Sequence, residues 1–345
     1  MFDSLKINII FKLFLSLNFK FPLKNKDTKI APGIKPKTTP KIKAWLSAFR
    51  LRTLPLAFSS IITGSAIAYY HYAFKLDIFI LALLTTLFLQ ILSNLANDYG
   101  DSATGVDNNE RVGPMRAIQS GEISKAAMKK AMVLFSILSL CSGIPLIIEG
   151  TKQINLKWFL FFLTLGIGSI AAAIKYTAGK NPYGYKGLGD IFVFLFFGLV
   201  GVLGCFILQF QIINREVLLE ALLPAVSIGC FSAAVLNLNN MRDAENDEKC
   251  GKITLAVRLG KTKSKIYHSW ILIVGMATLF KFSETIYLPT IAQVLLLLPC
   301  SILIFNIFKV IFNTNPKDLD PELKKVALST FATSITLFCL IANYL

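Results

Sequence analysis

The sequence predicts an all-α polytopic membrane protein, a bundle of nine transmembrane helices. Three observations carry that reading: 54% of its 345 residues are hydrophobic and only 16% charged, the mean hydropathy is +0.60, and the apolar residues gather in nine long runs. A soluble domain of this length would expose far more charge. A window of about 19 residues places the runs near 54–73, 77–96, 128–148, 156–176, 188–210, 217–238, 268–282, 287–312 and 326–344. The seventh is the shortest, because Lys281 and Glu284 interrupt it.

Charge then sets the expected orientation. Lys and Arg number 36 against 20 acids, a net charge of +16 that would suit a nucleic-acid binder if the bases formed a patch. They flank apolar runs instead, so no nucleic-acid partner is expected. Of the 36, 31 fall in the N-terminal segment and the even-numbered connections, and only Lys75, Lys152, Lys157, Arg215 and Lys281 fall on the other side. The positive-inside rule therefore predicts an inner (cytoplasmic) membrane protein with its N-terminus and even-numbered connections in the cytoplasm. Residues 1–40, which include INIIFKLFLSLNFKF and a Lys-, Pro- and Thr-rich stretch, form a basic extension to the transmembrane domain of residues 41–345. With no small-residue cleavage site before Lys24, the extension reads as an interfacial basic helix plus linker, or as an over-long start of the reading frame. Two isolated histidines, His71 and His268, and six cysteines without CxxC spacing point away from His triads, disulfides and zinc.

The polar residues that stand out follow the second and sixth runs. Run two leads into Asn94-Leu-Ala-Asn97-Asp98-Tyr-Gly-Asp101, then Asp107; run six leads into Asn237-Leu-Asn-Asn240-Met-Arg-Asp243, then Asp247. The shared Asn-Leu-x-Asn strings begin 143 residues apart, four runs later, as in a duplicated bundle. On a helix, Asn97 and Asp101 share a face, as do Asp243 and Asp247. Two carboxylates about 6 Å apart repel by roughly 3 kcal/mol at an effective dielectric of 20, so a cation is needed. Hard oxygen donors without His or Cys select Mg²⁺, Mn²⁺ or Ca²⁺, and Mg²⁺ completes its shell with water and substrate phosphate. Arg111 and Arg116 follow the first acidic string, and Lys252 and Arg258 the second; acids alternating with bases suit a diphosphate. A third even connection places Tyr176, Lys180, Tyr183 and Tyr185 among Gly turns, within reach of an aromatic ligand.

These residues resemble the UbiA superfamily of intramembrane aromatic prenyltransferases. The resemblance rests on Leu54-Pro-Leu-Ala-Phe58, Asn94 to Asp107 with Arg111-Val-Gly-Pro-Met-Arg116, Pro182-Tyr-Gly-Tyr with Gly187-Leu-Gly-Asp190, and Leu236 to Gly260, and runs from about residue 41 to the end. Its dihydroxynaphthoate polyprenyltransferase branch is the most similar. The resemblance implies a nine-helix bundle with a central cavity that opens to lipid. It further implies two Mg²⁺ ions holding a polyprenyl diphosphate and a 1,4-dihydroxy-2-naphthoate acceptor that is alkylated with loss of CO₂ in menaquinone synthesis. Carried over by position, Asn97 and Asp101 with Asp98 or Asp107 serve one metal, and Asp243 and Asp247 the other; Arg116 and Lys252 neutralise the departing diphosphate. Arg111, Tyr176, Lys180, Tyr183, Asn240 and Arg258 complete the expected substrate contacts. The first motif departs from the superfamily's Asn-xxx-Asp-xxx-Asp, since Gly105 stands where its last acid falls. Rival readings are a different aromatic acceptor, against which Arg-Val-Gly-Pro and Tyr-Gly-Tyr argue, and an ion-coupled transporter, which would hold its acids at mid-membrane on broken helices.

Overall fold

The computed structural model describes residues 41–108, 112–212 and 214–344, so the expected N-terminal extension and Arg111 lie outside the described residues. Helices α1 (Lys41–Phe49), α2 (Leu54–Tyr70), α3 (Leu76–Thr104), α4 (Lys125–Thr151) and α5 (Leu156–Lys175) form the first part of the bundle. Helices α6 (Gly189–Phe210), α7 (Arg215–Lys249), α8 (Leu255–Thr285), α9 (Thr290–Ile311) and α10 (Leu319–Tyr344) form the rest. Among the described residues, nine helical segments are long and apolar enough to cross a membrane, the first running from α1 through α2. The nine-run reading of the sequence therefore holds.

Helix boundaries follow local chemistry. Ser124, Asn155, Asn214 and Thr254 cap α4, α5, α7 and α8 by accepting backbone N–H groups of the first turn. Pro55 sits in the first turn of α2, where its missing N–H is no loss. A turn of 3₁₀ helix, Leu51–Thr53, joins α1 to α2, and Arg50 before it adopts the left-handed region at φ 49°, ψ 52°.

Two helices overrun their apolar runs. The run expected to end near residue 96 continues as helix to Thr104, and the run expected to end near 238 continues to Lys249. At about 1.5 Å rise per residue, α7 with 35 residues is roughly 52 Å long, well beyond a hydrocarbon core of about 30 Å. The acidic strings are thus helical extensions. Only at Gly105, φ 78°, does α3 stop. The seventh segment likewise starts earlier than its run, at Leu255, and bends at Gly260.

Helix α2 occupies the middle of the bundle, packed by α3, α6 and α10, while α7 packs on α6, α8 and α10; α5 packs on α3 and α4. Phe194–Leu203 within α6 is π-helical, a local widening frequent near functional sites. Polar contacts tie the apolar elements together, as hydrogen bonds between membrane helices do. Thr63 of α2 donates to Ser334 of α10 at 3.0 Å. His268 of α8 meets Asn306 of α9 at 2.8 Å, Asn306 donates to Glu322 of α10 at 2.9 Å, and Lys325 donates to the same carboxylate at 2.7 Å.

Candidate active site

The helical overhang of α3 gathers its acids around one arginine. Arg116, buried in the connection to α4, reaches Asp98 at 2.7 Å through Nη1, Asp101 at 3.1 Å through Nη2 and Asp107 at 3.1 Å through Nε. All three carboxylates are buried. Burial is the largest influence on the Arg116 guanidinium and disfavours its charge, yet Asp101, Asp107 and Asp98 outweigh it and raise its pKa above the usual arginine value. Asp98 also accepts from Arg50, the left-handed residue at the break between α1 and α2.

The α7 overhang closes on the same place. Lys252 Nζ lies 3.9 Å from Asp101 and 3.6 Å from Asp247, so one ammonium group bridges the two acidic strings. Asn246 donates to the Val106 carbonyl at 3.1 Å, docking the end of α7 against the turn after α3. Asp243 sits one helical turn back, held by Arg242 through two hydrogen bonds of 2.9 and 2.7 Å, while Arg242 also pairs with Asp320 and Asn239.

The third even connection supplies the tyrosines. Tyr185 donates to Asp101 at 2.7 Å, and Lys252 lies 5.4 Å from the centroid of its ring. Burial first, and Asp101 second, raise the Tyr185 pKa above the usual phenol range, so it stays a proton donor. Gly100 lets α3 touch this connection: a Cβ there would lie 2.4 Å from the Thr177 carbonyl oxygen. Thr177 in turn donates to the Ala96 carbonyl at 2.9 Å and to Asn97 at 3.2 Å.

Beside the acids begins a cavity of about 430 Å³ that runs between α2, α3, α4, α5, α6 and α7. Its polar end includes Arg50, Asn94, Asn97 and Tyr176, and its far end Leu146, Phe162 and Leu208. Tyr183 lines it too, with its hydroxyl on the Ala172 carbonyl and its ring stacked on Phe192 at 4.1 Å. The arrangement joins a charged cluster to a largely apolar chamber.

Most of the residues expected from the sequence converge. Asn97, Asp98, Asp101, Asp107, Arg116, Asp247, Lys252, Tyr176 and Tyr183 stand in the cluster or on the cavity wall. Asn240 is buried on α7, Lys180 is exposed in its turn, and Arg258 is exposed with its guanidinium against Gly187. Sequence reasoning missed Arg50, and it placed Tyr185 only among the tyrosines open to an aromatic ligand, not as a partner of Asp101. Arg50 read as one more topology charge, because its left-handed backbone is not written in residue type. For Tyr185 the signal was present, in its closeness to Lys186 and Gly187 beside an acidic site.

Among the described residues, no three His, Cys, Asp or Glu groups converge as an all-protein metal cage. Arg116 and Lys252 pair with the carboxylates instead. A hard divalent ion of the Mg²⁺ type nonetheless fits this donor set, since it takes one or two carboxylates and fills its shell with phosphate oxygens and water. Asp98, Asp101, Asp243 and Asp247 also lie on continuous helices beyond their apolar runs, and Asp107 in the turn after α3, unlike the broken mid-membrane helices expected of a transporter.

The profile of the UbiA prenyltransferase family matches residues 57–334. The chain belongs to the UbiA prenyltransferase family. It is 42% identical over 297 residues to a 1,4-dihydroxy-2-naphthoate octaprenyltransferase of Haemophilus influenzae, covering 86% of this chain and 94% of that one. The Escherichia coli 1,4-dihydroxy-2-naphthoate octaprenyltransferase is 40% identical over 296 residues, with the same shares covered. In fold, this UbiA family member is similar to a UbiA homolog from Aeropyrum pernix K1, with a TM-score of 0.60 at 15% identity over 84% of this chain and 98% of that one. A UbiA homolog from Archaeoglobus fulgidus bound to GPP and Mg²⁺ superposes with a TM-score of 0.54 at 17% identity, covering 86% of this chain and 99% of that one.

Proposed function

We propose that this protein transfers a polyprenyl group from polyprenyl diphosphate to 1,4-dihydroxy-2-naphthoate, releasing diphosphate and CO₂ and giving a demethylmenaquinol. The carrying observation is the meeting of Asp101 and Asp247 over Lys252, at the polar end of an apolar cavity, in a chain 42% identical to an enzyme of that name. The cluster takes the diphosphate and the cavity takes the adjoining part of the tail. By the charge bias of its connections, the cluster faces the cytoplasm from the inner membrane.

Asp98, Asp101 and Asp107, with Asn97 beside them, would hold one ion, and Asp247 with Asp243 the other. When bound there, Mg²⁺, in two ions, supplies Lewis-acid stabilisation of the charge that grows on the diphosphate. Arg116 and Lys252 add fixed positive charge at the same oxygens, so the allylic C–O bond breaks with its electron pair leaving on diphosphate. Tyr185 fixes the Asp101 carboxylate through its hydrogen bond. Tyr176 and Tyr183 line the cavity, where aromatic rings would shelter the allylic cation, and the apolar walls would keep water from it.

The ring carbon bearing the carboxylate then forms the new C–C bond, and the carboxylate leaves as CO₂, returning its electron pair to the ring. With an ionised carboxylate the step balances without removing a ring proton. Membranes containing the protein, given dihydroxynaphthoate and a polyprenyl diphosphate, are expected to form quinol and CO₂ in equal amounts, and to form neither when a chelator removes divalent ions. Product formation at full rate in chelator would overturn the metal assignment, and no product under any condition would overturn the activity.

A further inference from the structure

The cavity presents one charged side chain among its described lining residues, and it is Arg50. Its surroundings are amides and a hydroxyl: Gln90 donates to Thr53 Oγ1 at 3.1 Å, and Asn94 donates to the same oxygen at 3.1 Å and to the Phe49 carbonyl at 3.0 Å. We propose that Arg50 is the anchor for the carboxylate of the aromatic acceptor, with Gln90 and Asn94 facing its ring hydroxyls. The inference rests on the activity proposed above and names the acceptor's subsite within it.

Three features support the assignment. Chemistry comes first, since the acceptor enters an apolar chamber as an anion, and a buried carboxylate requires a paired cation. A guanidinium offers five N–H donors in a planar fork that matches a carboxylate. Position comes second. Arg50 already donates to Asp98, itself joined to Arg116, so a carboxylate on Arg50 lies beside the diphosphate cluster, where the allylic carbon is released. The carbon to be alkylated is the one that carries the carboxylate, so holding that group aims the ring at the cation. Backbone conformation comes third. A non-glycine residue in the left-handed region is uncommon and is kept where the surroundings impose it. Here its N–H is fixed on the Ser47 carbonyl at 3.2 Å and its carbonyl accepts from Thr53 N–H at 2.8 Å, which holds the break between α1 and α2.

The pairing with Asp98 also fits the departure of CO₂. Once the acceptor loses its carboxylate, the Arg50 charge keeps a counter-ion and is not left alone in an apolar wall. The neutral quinol then has no hold on Arg50 and is free to leave toward lipid.

The test compares the full-length protein with its Arg50→Gln and Arg50→Lys variants, all checked for monodispersity in detergent. It measures the affinity for dihydroxynaphthoate, for its descarboxy analogue 1,4-naphthalenediol, and for a polyprenyl diphosphate with Mg²⁺. Arg50→Gln is expected to weaken naphthoate binding roughly 10- to 100-fold, as loss of a charge-assisted hydrogen bond does, while diol and diphosphate affinities stay within about threefold of wild type. Arg50→Lys is expected to recover part of the preference for the acid. Unchanged naphthoate affinity in Arg50→Gln, or an equal loss for acid, diol and diphosphate, overturns the assignment; the equal loss would mean that Arg50 only positions Asp98. Binding separates this inference from the activity: turnover by wild type with an acid preference that survives in Arg50→Gln sinks the anchor alone. An Arg50-dependent acid preference without any product sinks the proposed transfer alone.

Discussion

The two acidic strings are near copies in sequence and unlike in structure. Asp101 on α3 is tied to three separate elements, by Arg116 from one connection, Tyr185 from another and Lys252 from a third. Asp243 on α7 is clamped by its own neighbour Arg242, which is anchored in turn by Asp320 near the start of α10. A repeated sequence string thus forms a hub on one helix and a braced strut on the other, with Asp247 linked to the hub through Lys252. The lesson is that matched spacing places acids on matched helix faces, but the cations that meet them decide what each acid does.

Mutations rank the two sets. Asp101→Ala is expected to cost at least about 100-fold in prenyl-transfer rate, the scale for removing one preorganised electrostatic group at a reacting centre; rates are read from quinol formation in membranes at matched protein level. Asp243→Asn is expected to cost about 10-fold, and equal losses in the two variants would mean that the strings are equivalent after all. Arg116→Gln leaves three buried acids without their shared cation, and breaking such a pair costs about 3–5 kcal/mol. Its melting temperature in detergent is therefore expected to fall, and to be raised by added Mg²⁺ more than that of wild type. A variant that gains nothing from Mg²⁺ would show that the ion does not enter the Arg116 cluster. The smallest effect belongs to Tyr185→Phe, which removes the hydrogen bond to Asp101 and the one shared with the Thr104 hydroxyl; losing the Asp101 bond, worth about 1 kcal/mol, corresponds to a fall in rate of roughly fivefold in the same assay.

The fold was legible because the length of each apolar run is written locally along the chain, and the nine spans follow from those runs. Their ends were less so. Residues 97–104 and 239–249 are polar, and a hydropathy window stops where apolar character stops even though the hydrogen-bonded helix continues. The acids of the site were readable from repetition, and Arg116 and Lys252 from alternation of charge. Contacts across the bundle were not: Tyr185 reaches Asp101 over 84 positions and Arg50 reaches Asp98 over 48, and nothing local in the chain encodes those distances. Arg258 and Lys180 are exposed, Arg258 with its guanidinium beside Gly187 and outside the Arg116 cluster, because closeness to a motif in sequence does not fix which way a side chain lies once the turns are built.

The overhang of α3 and α7 bears on how an amphiphile is handled. A lipid pyrophosphate has a head that belongs in water and a tail that belongs in oil, and an enzyme enclosed wholly in either phase would have to drag one half out of its solvent. Two helices continue about two to three turns past their oily stretch, with the charged cluster on the overhang and the chamber beside it. Under the proposed function, that overhang would set the grip at headgroup height with the chamber in the hydrocarbon, so that helix length, more than any single contact, would fix the depth of reaction.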